Sequence, residues 1–140
     1  MRSKKLTRKE ERYHVFVLIF QLGFYNNDDI STCQMLDTYI EEQIEFEFTK
    51  ENKDFMSQGL IGIYKNLLEI DEELEKNLKG WTIRRLNKVD LALLRLAVYE
   101  SNYTDIPKEV AINECINLAK EYSTDDGPGF INGVLSKVLN

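Results

Sequence analysis

The chain has 140 residues, two prolines, seven glycines, two cysteines, one histidine and a formal net charge of -6. That length suits one compact domain able to bury roughly two thirds of its unfolded surface, and the two distant cysteines, Cys33 and Cys115, lack a C-x-x-C partner and fall on helical segments, which favours free thiols over a disulfide scaffold. The longest nearly apolar run, Val15 to Leu22, falls far short of the roughly 20 residues of a membrane span, and no small-residue cleavage site follows it.

Spacings of three and four recur throughout and strand-like alternation is scarce, so the expected class is all-α, with about six to seven helices. Charge is polarised along the chain. Arg2, Lys4, Lys5, Arg8, Lys9 and Arg12 stand against Glu10 and Glu11, which leaves the first twelve residues at +4 and the rest at -10.

The first helix is expected from Thr7 to Phe24. Thr7-Arg8-Lys9-Glu10 matches a capping box, and Val15, Leu18, Ile19 and Leu22 repeat with helical spacing before Asn26-Asn27-Asp28-Asp29 stops it. A second helix is expected after Ser31 as N-cap, with Met35, Leu36, Tyr39, Ile40 and Ile44 as its buried stripe and Asp37, Glu41, Glu42 and Glu45 outside. A third, long helix is expected from Thr49 to Leu74, through Phe55, Met56, Leu60, Ile63, Leu67 and Ile70. Gly59 and Gly62 interrupt it, each at a cost of about 1 kcal/mol relative to alanine, which close helix packing would offset.

Gly80 marks a boundary between subdomains 1-80 and 81-140, and Trp81 to Asn87 reads as a connector. The fourth helix follows in KVDLALLRLAVYES, where Arg95 breaks an apolar run. A fifth starts at Pro107 with Asp105 as cap, and the last runs from Pro128 to Leu139, introduced by Asp125-Asp126-Gly127.

Catalytic chemistry finds little support in these residues. One histidine, His14, precludes a two-histidine metal site and leaves the cysteines, expected to be buried thiols, with one possible base. Gly127-Pro128-Gly129 lacks the phosphate-loop pattern, and the pairs Asp28-Asp29, Glu41-Glu42 and Glu72-Glu73 belong to solvated faces. No metal or cofactor is expected. Asp125-Asp126 has two compatible roles, helix cap and contact, because only one of the two can cap.

The basic start is different. Arg8 and Lys9 fall in a helix's first turn, where the macrodipole is positive and cations are mildly unfavourable. With Lys5 before them and Arg12 one turn on, they form a cationic stripe suited to a polyanion. A frayed, solvated terminus is the other reading. Tyr13, Phe16 and Phe20 could stack bases, although the spacing of the two phenylalanines also fits a core.

Three stretches narrow these alternatives: the basic arm with RYHVFVLIFQLGFY, then RLNKVDLALLRLAVYE, then IPKEVAINECINLAKEYSTDDGPGFINGVLSKV. Together they resemble the NusB family of bacterial transcription antitermination factors over the full length, while residues 26-80 match only in helical character. The resemblance implies one NusB-like RNA-binding domain, 1-140, of two small packed helical bundles, with no enzymatic activity. It implies a cytoplasmic adaptor that pairs with NusE, a small-subunit ribosomal protein, and binds single-stranded boxA-type RNA of ribosomal RNA operons within an RNA polymerase antitermination complex. RNA contacts map to Lys4, Lys5, Arg8, Lys9, Arg12 and Phe130, and partner contacts to Phe20, Asp90 and Asp126. Some members form homodimers. The chain departs from the family pattern at Tyr13, His14 and Val15, and Glu10 stands where basic residues are frequent. An RNA-positioning module for an enzyme and a purely structural helical module are the rival readings.

Overall fold

The computed structural model describes residues 4-23 and 29-139, with side chains from Leu6 to Gly23 and from Thr32 to Leu139. Among these residues seven α-helices account for most of the chain, as the periodicity predicts, and the backbone groups into two compact units, Met1–Tyr64 and Lys65–Asn140.

In the first unit, helix α1 spans Arg8–Leu22, α2 Asp29–Glu42 and α3 Lys50–Lys65. The Thr7 hydroxyl accepts from the Glu10 amide at 3.1 Å while the Glu10 carboxylate accepts from the Thr7 amide at 3.0 Å, the expected capping box. Thr49 and Asn52 make the same reciprocal pair at the start of α3, at 3.1 and 3.0 Å. Leu18, Ile19 and Leu22 of α1 and Met56, Leu60 and Ile63 of α3 are fully buried. Gly59 lets the two helices meet: a Cβ there would lie 3.0 Å from Cγ1 of Val15. Close packing therefore explains this glycine despite its helix penalty.

Three features of this unit depart from the sequence reading. Ser31 lies inside α2 rather than capping it, and Ile44, expected in the buried stripe, lies beyond the helix and is 92% exposed. The arm is not a free tail: strand β1 (Lys4–Lys5) pairs in parallel with β2 (Phe46–Glu47), Lys4 opposite Phe46 and Lys5 opposite Glu47. Two-residue strands carry no periodicity, so helical pattern reading passes over them. Of the proposed stop Asn26-Asn27-Asp28-Asp29, the first three residues lie outside the described residues and Asp29 opens α2.

In the second unit, α4 spans Leu67–Glu75, α5 Lys88–Tyr103, α6 Lys108–Tyr122 and α7 Gly127–Val138. The long third helix of the sequence reading is thus two helices. Asn66 leaves helical geometry at φ -108°, ψ 13°, and asparagine competes poorly in a helix interior because its amide bonds nearby backbone. Helix α5 is apolar almost all round, with Leu91, Leu93, Leu94, Leu96, Ala97 and Val98 buried, as a central helix must be. Ile70 and Leu74, Cys115 and Ala119, and Ile131 and Leu135 from its neighbours are buried as well.

The anomalous Arg95 is explained by Asp71. Its guanidinium donates in a fork to both carboxylate oxygens, at 2.9 and 2.8 Å, so the charge enters the apolar run already paired. Pro107 occupies the cap position of α6 and Lys108 is its first residue, so Asp105 is not the cap. Gly80, at φ +75°, turns the chain within this unit ahead of a short 3-10 turn at Ile83–Arg85.

Candidate functional site

Two exposed cations of the first unit, Arg8 and Lys9, stand together at the start of α1, and Lys50 and Lys53 are exposed at the start of α3. Arg8 reaches Glu11 at 3.3 Å and lies over the Phe55 ring, 4.3 Å from its centroid, with its side chain still 64% exposed. Lys9 is exposed beside it. Arg12 is not surface charge: it is 6% exposed. Of the expected stripe, then, Arg8 and Lys9 are presented to solvent with their side chains described, and Lys4 and Lys5 contribute a backbone position on β1. Phe16 is buried and Phe20 half-buried, so the first is core and the second keeps an accessible edge.

Behind that face is a buried polar network. Asn52 donates to Oε2 of Glu11 at 2.6 Å, tying α3 to α1, and Nδ1 of His14 sits 2.5 Å from the Tyr39 hydroxyl on α2. The rings of Tyr39, Phe46 and Phe48 meet His14 edge-on, and its Nε2 has no hydrogen-bond partner. Burial pushes the His14 pKa below its ordinary value against the opposing pull of Glu10, and burial raises that of Tyr39. Packed this way, the histidine is a structural side chain.

Asp90, Asp126 and Phe130, separated widely in sequence, come together in the second unit. They line a cleft of about 380 Å³ with Trp81, Arg85 and Gly127. Asn87 caps α5 through bonds from the Val89 and Asp90 amides, which fixes Asp90 in the first turn. Asp90 is buried, and its Oδ1 accepts from the Ser123 hydroxyl at 2.5 Å. Gly127 is required where the helices close: a Cβ there would lie 2.0 Å from Oγ and 2.6 Å from Cβ of Ser123. Asp126 stands at the cap position of α7 without a side-chain cap bond, so its exposed carboxylate is available to a ligand.

Trp81, read from the sequence as connector, proves to be a wall of this cleft. Its ring meets Phe130 edge-on at 6.5 Å and it is 52% exposed. The signal that marks this region is present in the sequence: Lys76, Lys79, Arg84, Arg85 and Lys88 surround Trp81, with no acidic residue between positions 76 and 89.

Among the described residues no group of three His, Cys, Asp or Glu side chains could hold a metal ion, and no helix is long and apolar enough to cross a membrane. Both cysteines are free. Cys115 is buried and bonds the Leu93 carbonyl at 3.1 Å, whereas Cys33 is exposed, against expectation, because it falls on the outer side of α2.

Among the described residues, seven helices in two units, with a cationic helix start in one and an aromatic, carboxylate-bearing cleft in the other, define an all-α protein. The NusB family model matches residues 9-140, and the chain belongs to the NusB family. Transcription antitermination protein NusB of Thermoanaerobacter sp. (strain X514) is 35% identical over 93% of this chain and 88% of its own length. The protein of the same name from Listeria innocua serovar 6a is 40% identical over 95% and 96%. Among solved structures, NusB of T. maritima superposes with a TM-score of 0.83 at 35% identity, covering 96% of this chain and 92% of its own. The family is one of antitermination factors rather than enzymes, and this chain is not an enzyme.

Proposed function

We propose that this chain is an RNA-binding transcription antitermination adaptor of the cytoplasm. It pairs with a NusE-like ribosomal protein and holds boxA-type RNA of ribosomal RNA operons within an RNA polymerase complex. The observation that carries this reading is the match over residues 9-140 to a family whose relatives, at 35% and 40% identity, are named transcription antitermination proteins.

The charge distribution supports it. A first turn bearing Arg8 and Lys9 adds side-chain cations to a positive helix end, a combination that costs helix stability and favours phosphate. Lys4 and Lys5 precede that turn in sequence as further candidate phosphate contacts, and Arg12, at 6% exposure, offers RNA the least accessible of these cations. Phe130 supplies a ring to a base. Phe20, Asp90 and Asp126 serve the protein partner, with Asp126 presenting a carboxylate to a basic surface. The acidic remainder of the chain favours such a partner, and a homodimer would compete with RNA for the basic face.

Titration of a boxA-type RNA at several salt concentrations, with and without the NusE-like partner, tests the proposal. If Lys4, Lys5, Arg8 and Lys9 each neutralise one phosphate, log K against log salt has a slope of about -3, at about 0.7 per phosphate. Replacing Arg8 and Lys9 by alanine reduces its magnitude by about 1.4 and leaves partner binding intact. A flat salt response that those substitutions do not change overturns the proposal.

A further inference from the structure

The aromatic pair Trp81 and Phe130 has a second side. Beyond the carboxylate-bearing cleft, the same two rings line another, of about 280 Å³, whose other walls include Lys79, Lys137, Gly129 and Gly133. No carboxylate lines it. Lys79 and Lys137 are exposed and, among the described residues, make no ion pair, so both charges are available. Gly129 and Gly133 lie one turn apart on α7, and a Cβ at either would meet nothing within 4 Å, so the floor of this cleft is open helix backbone.

Opposite charges thus flank one aromatic wall. The carboxylate side suits a basic protein, while two exposed cations beside an exposed indole and bare backbone suit a single strand, whose bases stack on aromatic faces while its phosphates track cations. Arg84, Arg85 and Lys88 extend the cationic surface along the chain after Trp81, with no acidic residue between positions 76 and 89.

We infer that this lysine-lined cleft of the second unit is a further contact for single-stranded RNA, in which a base stacks on Trp81 and its neighbouring phosphates meet Lys79 and Lys137. The inference rests on the RNA-binding reading above and adds Trp81, Lys79, Lys137 and the open face of α7 to it.

Trp81 is the only tryptophan of the chain and its ring is shared by the two clefts, so its emission reports occupancy of either and the Gly133 variants assign the signal to this one. The full chain is titrated with end-labelled single-stranded boxA-type RNA while tryptophan emission and label anisotropy are followed together. Saturable quenching with the same midpoint as the anisotropy is expected. Trp81→Leu lowers affinity about five- to hundredfold, the range seen when a stacking platform is removed. Lys79→Ala with Lys137→Ala reduces the magnitude of the salt slope by about 1.4.

Gly133→Glu puts bulk and negative charge into the cleft without meeting the fold, so RNA affinity falls at least tenfold while the melting temperature does not fall. Gly133→Gln, which adds the bulk alone, lowers affinity less. RNA that binds by anisotropy with no change in tryptophan emission and no effect of Gly133→Glu overturns this inference and leaves the proposed function standing. No RNA binding, with or without the partner, overturns both. Quenching by the ribosomal partner alone, with RNA affinity unmoved by Gly133→Glu, overturns it in favour of a protein-docking cleft.

Discussion

The two cationic stretches of the chain, residues 2-12 and 76-88, carry similar charge and spend it differently. In the first, Arg8, Lys9 and Arg12 sit on a helix with acids interleaved: Arg8 is paired with Glu11 and stacked on Phe55, and Arg12 is buried. In the second, Arg84 and Arg85 sit on a short turn without acidic neighbours in sequence and are exposed. Counting charges ranks the two alike, whereas burial separates them: Arg12 is buried, while Lys76, Lys79, Arg84, Arg85 and Lys88 are all exposed. Part of the first stretch is structural, and the second is almost entirely surface.

That contrast can be broken by mutation. The largest effect is expected at Asn52→Ala, which removes the donor to Oε2 of the buried Glu11 carboxylate, leaving only Arg8 on Oε1, and costs about 2 kcal/mol in urea unfolding. Thr7→Ala removes the cap that positions Arg8 and Lys9 and costs about 1 kcal/mol in the same measurement. In the second stretch, Arg84→Ala and Arg85→Ala should each leave stability within about 0.5 kcal/mol, because both side chains are exposed and make no ion pair among the described residues. A loss at Arg84 or Arg85 as large as that at Thr7 would abolish the distinction.

Much of the architecture was legible because it is local. The Thr7-Glu10 box, the apolar stripe of the first helix and the all-round apolarity of residues 91-98 are statements about neighbours three or four positions apart. The errors arise where the deciding partner is remote or the signal has no period. Helical spacing continues across Asn66, so one helix was read where there are two. Arg12 looks like its basic neighbours until burial is known, and Cys33 looks like Cys115.

At the candidate site, Asp90, Asp126 and Phe130 entered through motif resemblance, and no spacing rule would have brought them to one cleft. Trp81 was passed over because a connector between helices offers no periodicity, although its cationic surroundings were in plain view.

The small parallel ribbon bears on the order of folding. Parallel strands require a long crossover, and the segment joining Lys5 to Phe46 includes α1 and α2. Neither strand can find its register until those helices have been placed, so their pairing comes late in folding. With only two residues on each side it also opens at lower free energy than the helices beside it. Amides of the ribbon should therefore exchange with solvent ahead of those in the middle of α1, making it a native-state gauge of how firmly the first unit has closed.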